Sequence, residues 1–331
     1  MSVRLAGSRA PGAAPDGAEG PVRWKCALVN NMPDAAFGAT ERQFVDLLDA
    51  GSGCETVVLT RHTMAGVPRG ERIRARIAAE YRPVEDIISD PPDLLVVTGS
   101  NPIESRIEDE PYWADLHGLL KWGSENMPAM VLSCLSAHAA LAVFDGLERT
   151  TLPAKCTGVF AQDADLAHPL NAWFNGTVVL PHSRHNTVPV EAVVAAGYAV
   201  ALQSDEVGWS VVTKTVGQSE VVLVQAHPEY DPSSLVREYH RDVRRYAGHE
   251  RDELPCLPRD CMAKPDWDRL HRLHERVVGG ERNPALVAAF PFDEVGARAP
   301  WPWRGAALRL YANLLGTIPK RLLCTIQKRS A

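Results

Sequence analysis

The sequence predicts an α/β fold in which helices cover both faces of a mostly parallel β-sheet. Two observations support this prediction. Short apolar runs at 56–60, 93–98 and 128–133 alternate with helical stretches along the first half of the chain. These runs are apolar over several consecutive positions, which is typical of strands that are buried on both faces. The chain has 331 residues, 45% of them hydrophobic, which is enough to build such a core.

Elements alternate regularly up to residue 144. Phe44, Leu47 and Leu48 share one face of a helix over 39–49, and Pro111 suits the first turn of a helix over 111–123. The charged stretch 69–82 predicts a loop and a surface helix. The predicted strands are 26–30, 56–60, 93–98 and 128–133, and a further helix covers 135–144.

The pattern changes after residue 155. Strands and turns dominate, with strands predicted at 177–180, 198–203, 208–214 and 221–226 and a compact polar turn at 181–184. This predicts antiparallel additions at the sheet edge before the chain returns to a last central strand. Helices are predicted at 233–246, 267–278 and 304–315, separated by Pro-rich and charged segments.

These features give the domain organisation. Residues 1–22 are rich in Ala, Gly and Pro and contain no apolar signal-peptide core, so we expect a disordered leader. Residues 23–247 form the single α/β domain. Residues 248–331 form an irregular C-terminal extension that we expect to pack on the same domain.

Composition restricts the partners and the compartment. The net charge is −6 and the basic residues form no long block, which argues against nucleic acid as a partner. No apolar stretch approaches the length that spans a bilayer, so we expect no membrane partner. Seven widely spread cysteines are typical of free thiols in a reducing cytoplasm. We therefore expect a cytoplasmic protein that acts on small molecules.

The residues with the clearest chemistry follow two apolar runs. Cys134 lies between the run 128–133 and a helix, at a helix N-terminus that favours a thiolate. The run 221–226 ends at His227, with Glu229 two residues further on. Because catalytic residues of open α/β sheets collect at the carboxyl ends of strands, we expect a Cys–His–Glu nucleophilic site. The backbone N–H groups of Leu135 and Ser100 would form the oxyanion hole.

Several short motifs, in order and nearly ungapped from 94 to 160, resemble the homoserine O-acyltransferases of the class I glutamine-amidotransferase-like type. The resemblance covers about residues 25–247 and resumes at Trp303-Arg304. Its motifs are Asn31-Met-Pro33, Glu41-x-Gln43-Phe44, Val97-Thr-Gly99, Tyr112-Trp113, Cys134 with Ala139-Ala-Leu141, Lys155 with Gly158-Val159, Pro181-His-Ser-Arg184, and His227-Pro-Glu-Tyr-Asp231 with Arg241.

The resemblance implies a flavodoxin-like fold and an acyl transfer in methionine biosynthesis. Cys134 would carry the acyl group as a thioester, and His227, oriented by Glu229, would deprotonate the acceptor hydroxyl. Lys155, Ser183 and Arg241 match the family's substrate-binding positions. Acyl-CoA, either succinyl-CoA or acetyl-CoA, would be the co-substrate, and we expect no metal and no bound cofactor. The resemblance, rather than any residue pattern, also suggests a homodimer.

Two loops depart from the family pattern and leave the substrates open. Ile103 aligns with the position that influences donor choice, and a one-residue slip would place Glu104 there. Glu at this position favours acetyl, so the sequence decides neither the donor nor the acceptor, which is homoserine or a similar hydroxy amino acid such as serine. Asp34-Ala-Ala36 stand where the family commonly carries lysines.

Two other functions remain open. The first is a cysteine hydrolase or glutamine amidotransferase that uses the same Cys–His–Glu site. Leu132 and Ser136 argue against it, because amidotransferases usually carry glycine at both positions around the nucleophile. The second is a non-catalytic binding protein of the same fold, which the altered 34–36 loop would favour.

Overall fold

All the strands found in the described part of the chain belong to one sheet. The computed structural model describes residues 3–6, 22–53, 55–102, 104 and 106–329, with side chains described up to Ile318. Ten strands are found in these ranges: β1 (Val3–Leu5), β2 (Val22–Val29), β3 (Thr56–His62), β4 (Leu94–Val97), β5 (Ala129–Ser133), β6 (Thr150–Ala164), β7 (Thr177–Thr187), β8 (Ala199–Ser204), β9 (Gly208–Val216) and β10 (Ser219–Val224). Their order is β1-β3-β2-β4-β5-β10-β9-β8-β6-β7.

The strand directions confirm the predicted fold class. The six strands from β1 to β10 in this order pair in parallel. The other four, β9, β8, β6 and β7, add antiparallel pairs at one edge. Strand β10 returns between β5 and β9, as the sequence predicted.

Helices cover both faces of the sheet. The helices in the described ranges are α1 (Asp34–Gly51), α2 (Glu71–Glu80), α3 (Asp86–Ser89), α4 (Trp113–Asn126), α5 (Leu135–Asp145), α6 (Val190–Ala195), α7 (Ser234–Ala247), α8 (Lys264–Val278), α9 (Pro284–Ala288), α10 (Phe292–Arg298) and α11 (Arg304–Arg329). None of them is both long and apolar enough to cross a membrane.

Alternation along the central strands explains the two-sided core. Successive side chains of a strand point to opposite faces, and both faces of β4 and β5 are buried. Leu94 and Val96 pack with α1, α7 and α11, whereas Leu95 and Val97 pack with α4 and α5. Two hydrophobic layers of this kind are what the continuous apolar runs predicted.

Two of the sequence-based expectations about the strands were wrong. The polar segment 181–184 is not a turn but the middle of β7, where His182 pairs with Gly158 and Ser183 with Thr157. The partner strand β6, with 15 residues, was not predicted at all. Its polar residues and Pro153 hide the apolar alternation, and the pairing shifts register between Thr151 and Cys156.

The two ends of the chain also differ from expectation. Val3–Leu5 fall in the predicted leader but form β1, which pairs with β3 because Val3 is buried against the core. The rest of the leader lies outside the described residues, apart from Ala6 and Val22. The C-terminal extension contains four helices rather than one helical piece and a last helix. Its helix α11 lies so close to α1 that a Cβ on Gly51 would be 3.0 Å from Tyr311 Cβ.

Candidate active site

Cys134 lies on a sharp backbone elbow between β5 and α5. Its φ of 51° and ψ of −108° are unusual for a residue with a side chain, a conformation that costs on the order of 1–3 kcal/mol. The backbone N–H of Cys134 donates a 2.7 Å hydrogen bond to the Val224 carbonyl, which ties the elbow to β10. The thiol is partly exposed at the N-terminus of α5. Strain of this kind is typical of a strand-to-helix elbow that presents a nucleophile.

The loop after β4 lies directly against this elbow. A Cβ on Gly99 would lie 3.2 Å from Cys134 Cβ and 3.5 Å from the Leu135 nitrogen. The Ser136 hydroxyl donates a 2.5 Å hydrogen bond to the Thr98 carbonyl, which fixes the loop to α5. The two segments predicted to form the oxyanion hole therefore lie side by side, and the use of the Leu135 and Ser100 N–H groups stays a prediction.

His227 and Glu229 form a buried pair after β10. His227 Nδ1 lies 2.8 Å from Glu229 Oε1, and both side chains are less than a tenth exposed. Burial lowers the pKa of His227, but the Glu229 carboxylate and the Cys134 thiolate outweigh burial and raise that pKa well above its usual value. His227 Nε2 is buried and makes no hydrogen bond within the described part of the chain. The ring therefore has its second nitrogen available for proton transfer close to Cys134.

Arg184 supplies a fixed positive charge near Cys134. Its guanidinium donates to the carbonyls of Asn186 (2.9 Å) and Val207 (2.5 Å) and is buried. Burial lowers the pKa of Arg184, and the Cys156 and Cys134 thiolates oppose that shift. The sequence had marked Arg184 only as part of a family motif. The structure therefore adds a buried guanidinium close to both Cys134 and Cys156.

A second cluster contains the three predicted substrate-binding residues. Lys155 Nζ lies 3.1 Å from Glu238 and 3.3 Å from Asp242. Ser183 donates a hydrogen bond to the same Glu238 carboxylate. Arg241 Nε binds Asp242 at 2.8 Å and is about one-third exposed. Strands β6 and β7 and helix α7 thus bring Lys155, Ser183 and Arg241 together.

The sequence analysis missed Glu238, which holds this cluster together. Burial alone would raise the pKa of Glu238, but Lys155, Ser183 and Tyr230 lower it to about 2. The carboxylate is therefore ionised at neutral pH. The helical spacing of Glu238, Arg241 and Asp242 places all three on one side of α7, a signal that the sequence did contain.

Tyr230 joins the two clusters and was also missed. Its ring stacks on the His227 ring with centroids 4.3 Å apart, and its hydroxyl donates a 2.5 Å hydrogen bond to Glu238. The C-terminal extension supports this connection, because the indoles of Trp301 and Trp303 both donate to the Tyr230 carbonyl. Tyr230 therefore connects His227 to the charged cluster around Glu238.

The two donor-selectivity positions follow Gly99 by four and five residues in the sequence. Ile103 lies outside the described residues. The side chain of Glu104 is exposed, and its backbone N–H donates to Glu110 at 3.0 Å. Whether either position selects the donor stays a prediction.

Residues 34–36, which the sequence analysis treated as a loop, form the first turn of α1, and a cation from elsewhere in the chain binds the segment just before them. The Arg69 guanidinium donates to the carbonyls of Met32 and Asn30, the second at 3.1 Å. It also lies 3.5 Å from Asp34. Arg69 thus binds the backbone of the segment before α1 and the Asp34 side chain at the start of that helix. Over the described residues, no group of His, Cys, Asp and Glu side chains is arranged to hold a metal ion.

Together, the mostly parallel sheet, the strained cysteine elbow and the His–Glu pair define an α/β protein in which Cys134 is the candidate nucleophile. The homoserine O-succinyltransferase family model matches residues 21–320. A homoserine O-succinyltransferase of Methylorubrum extorquens is 37% identical over 314 residues, which is 92% of this chain and 93% of that protein. One of Rhodopseudomonas palustris is 38% identical over 264 residues, or 80% and 79% of the two chains. The chain belongs to the homoserine O-succinyltransferase family, a family of acyltransferases.

Among the solved structures similar to this chain is a glutamine amidotransferase from Methylobacillus flagellatus. It superposes with a TM-score of 0.49 and 15% sequence identity, covering 91% of this chain and 94% of that one.

Proposed function

We propose that this protein transfers the succinyl group of succinyl-CoA to the hydroxyl of homoserine in two steps, through a thioester on Cys134. One observation carries the proposal. The Cys134–His227–Glu229 arrangement is connected through Tyr230 to a cluster that offers both signs of charge to an amino acid. Membership of the family supports succinyl as the acyl group and methionine biosynthesis as the setting.

In the first step, the Cys134 thiolate attacks the thioester carbonyl of the donor. The carbonyl oxygen becomes an oxyanion, for which the Leu135 and Ser100 N–H groups are the proposed donors. When the tetrahedral intermediate collapses, the bond to the CoA sulfur breaks. His227 carries a proton because Glu229 raises its pKa, and it gives this proton to the departing thiolate. Free CoA and the acylated Cys134 remain.

In the second step, neutral His227 accepts the proton of the acceptor hydroxyl at Nε2. That nitrogen is suited to the task because it has no hydrogen-bond partner in the described residues. The hydroxyl oxygen attacks the thioester carbonyl, and the Cys134 sulfur leaves as a thiolate. The product is the O-acyl amino acid, and the imidazolium–thiolate pair is restored.

The charged cluster suits a zwitterionic acceptor. Arg241 is partly exposed and can bind a carboxylate through two parallel hydrogen bonds. Glu238 is ionised and can bind an ammonium group. Both side chains belong to α7, which follows the loop that holds His227. This supports an acceptor whose α-amino and α-carboxyl groups are fixed on α7 while its hydroxyl reaches His227.

Initial-rate kinetics test this proposal. We expect parallel double-reciprocal lines when succinyl-CoA and homoserine are varied, because CoA leaves before the acceptor reacts. Intersecting lines would contradict the two-step route. Serine in place of homoserine ranks the acceptors, which differ by one methylene worth about 1–3 kcal/mol. Release of ammonia from glutamine without CoA would support the amidotransferase alternative instead.

A further inference from the structure

Tyr230 takes no part in the two steps proposed above, although its side chain contacts residues of both. It is buried, with 8% of its surface exposed. Its ring lies on the ring of His227, with centroids 4.3 Å apart and planes that differ by 21°. Its hydroxyl donates a 2.5 Å hydrogen bond to Glu238 Oε1. Both ends of the phenol are therefore engaged, one with the proposed general base and one with the proposed acceptor site.

The imidazole of His227 needs a second contact to fix its plane. Its hydrogen bond to Glu229 holds Nδ1 at 2.8 Å, which fixes one atom and leaves the ring free to tilt about it. Nε2 makes no hydrogen bond within the described residues, so it does not hold the plane either. The phenol ring of Tyr230 lies where the imidazole would move if it tilted. Stacking therefore keeps Nε2 in place for Cys134, and a misplacement of about 1 Å can slow such a reaction about a hundredfold.

Tyr230 is itself held on both sides of its backbone. Its N–H donates to the His227 carbonyl at 3.1 Å, which closes a tight turn between the two stacked residues. Its carbonyl accepts hydrogen bonds from the indoles of Trp301 and Trp303, at 3.1 and 2.9 Å. Trp303 is fully buried. The domain and the C-terminal extension thus fix the phenol jointly, which is how a supporting residue keeps a reacting side chain in register.

The hydroxyl of Tyr230 holds one side of the Glu238 carboxylate. It donates to Oε1, whereas Lys155 and Ser183 donate to Oε2. Contacts on both oxygens set the plane of the carboxylate. Without the hydroxyl, Oε1 would lose this donor and the group could turn about its contacts at Oε2.

We propose that Tyr230 is a positioning residue with two separable tasks. Its ring holds the imidazole of His227 in the plane that serves Cys134, and its hydroxyl holds Glu238 for the amino-acid acceptor. The second task rests on the proposed function. The first requires only that Cys134 and His227 act as a pair, so it can be measured without any acyl transfer.

The test uses the full-length protein and three variants. Tyr230→Leu removes the ring and the hydroxyl, and Tyr230→Phe removes the hydroxyl alone. Tyr239→Leu is the matched control, because Tyr239 is a buried tyrosine of α7 in the same core whose hydroxyl contacts His274 at 3.0 Å. Three rates are measured: alkylation of Cys134 by iodoacetamide at neutral pH, release of CoA from succinyl-CoA alone, and steady-state turnover with homoserine.

We expect Tyr230→Leu to slow alkylation, CoA release and kcat at least about tenfold, because the imidazole is no longer held in place. Tyr230→Phe should restore all three to within about twofold of the wild-type rates, since the ring remains. It should still raise the KM for homoserine about fivefold, because Glu238 loses a hydrogen-bond donor. Tyr239→Leu should keep the wild-type values. If Tyr230→Leu does not fold, Tyr230→Met replaces it, because the flexible methionine side chain fills irregular space.

The two tasks fail separately. Wild-type alkylation and kcat in a folded Tyr230→Leu protein, or equal losses in Tyr239→Leu, would overturn the task of the ring. An unchanged KM for homoserine in Tyr230→Phe would overturn the task of the hydroxyl. If the wild-type protein is alkylated at Cys134 but releases no CoA, the proposed function fails together with the task of the hydroxyl. The alkylation rates alone then decide whether the ring positions His227.

Discussion

Replacing Glu229 with glutamine isolates the contribution of its charge to the nucleophile. Glutamine has nearly the same shape and can still accept a hydrogen bond from His227 Nδ1, which lies 2.8 Å from the carboxylate. The carboxylate is one of the charges that raise the pKa of His227 against the effect of burial. Without it, burial lowers that pKa, and the imidazolium persists only at lower pH. The Cys134 thiolate then loses its protonated partner at neutral pH.

The size of the expected rate change follows from replacing a hydrogen bond to a charged group with a hydrogen bond to a neutral one. A hydrogen bond to a charged group contributes about 1.5–3 kcal/mol and a neutral one about 0.5–1.5 kcal/mol. The difference of about 1–2 kcal/mol corresponds to a roughly 5- to 30-fold change. We expect Glu229→Gln to slow the alkylation of Cys134 by iodoacetamide at neutral pH by this factor. We also expect the imidazolium limb of its pH profile to move to lower pH.

The assay follows the intact mass over time at several pH values. Glu206→Gln is the matched control, because this glutamate is exposed and lies near Cys156 rather than in the His227 pair. That variant should alkylate Cys134 at the wild-type rate. A folded Glu229→Gln protein with the wild-type rate and the wild-type pH profile would refute the role that we give to Glu229.

Three further changes probe the elbow, the charged cluster and the C-terminal extension. Gly99→Ala places a methyl group 3.2 Å from Cys134 Cβ, so we expect succinyl transfer to fall about tenfold or more through a displacement of the thiol. Glu238→Gln removes a carboxylate whose pKa is lowered to about 2. The stability that this carboxylate contributes is present above its unfolded value of about 4.5 and is lost as the pH falls towards 2, so urea unfolding of the two proteins should converge in acid. Trp303→Ala removes a fully buried indole that donates to the Tyr230 carbonyl at 2.9 Å, and should lower the free energy of unfolding by roughly 3–5 kcal/mol.

Each of these expectations has a result that would contradict it. Gly118→Ala is the control for the elbow, because a Cβ on Gly118 meets no atom within 4 Å. Equal activities of Gly99→Ala and Gly118→Ala would show that a methyl group at Gly99 does not displace the Cys134 thiol. The expectation for Glu238→Gln would be contradicted if the difference in the free energy of unfolding between this variant and the wild-type protein grew as the pH fell. An unfolding midpoint for Trp303→Ala close to that of the wild-type protein would show that the extension does not stabilise the domain.

The order of the central strands and helices could be predicted because each strand is buried on both faces. Strands β4 and β5 contain almost only apolar side chains, so their sequence is informative without knowledge of their neighbours. Strand β6 could not be found in this way. Its side chains are largely exposed or polar up to Thr157, and its partner β7 decides its conformation.

The residues of the candidate site likewise differ in whether the sequence alone could identify them. Cys134 and His227 follow apolar strands, and that position alone marks them. Arg184 and Glu238 gain their importance from contacts across strands and helices that are far apart in sequence, such as Ser183 with Glu238. Local patterns do not contain such contacts. Tyr230 needed the three-dimensional stacking on His227 before it could be recognised as a connection between the two clusters.

Whether Cys134 carries the acyl group can be read from the intact mass of the protein after incubation with succinyl-CoA alone. We expect a mass increase of one succinyl group, which disappears when homoserine is added. Cys134→Ala should show no increase. Cys156→Ala is the matched control, because this second thiol lies near the same Arg184, and it should be acylated like the wild-type protein. Product formation without any acylated intermediate, or an adduct that persists in Cys134→Ala, would rule out a thioester on Cys134.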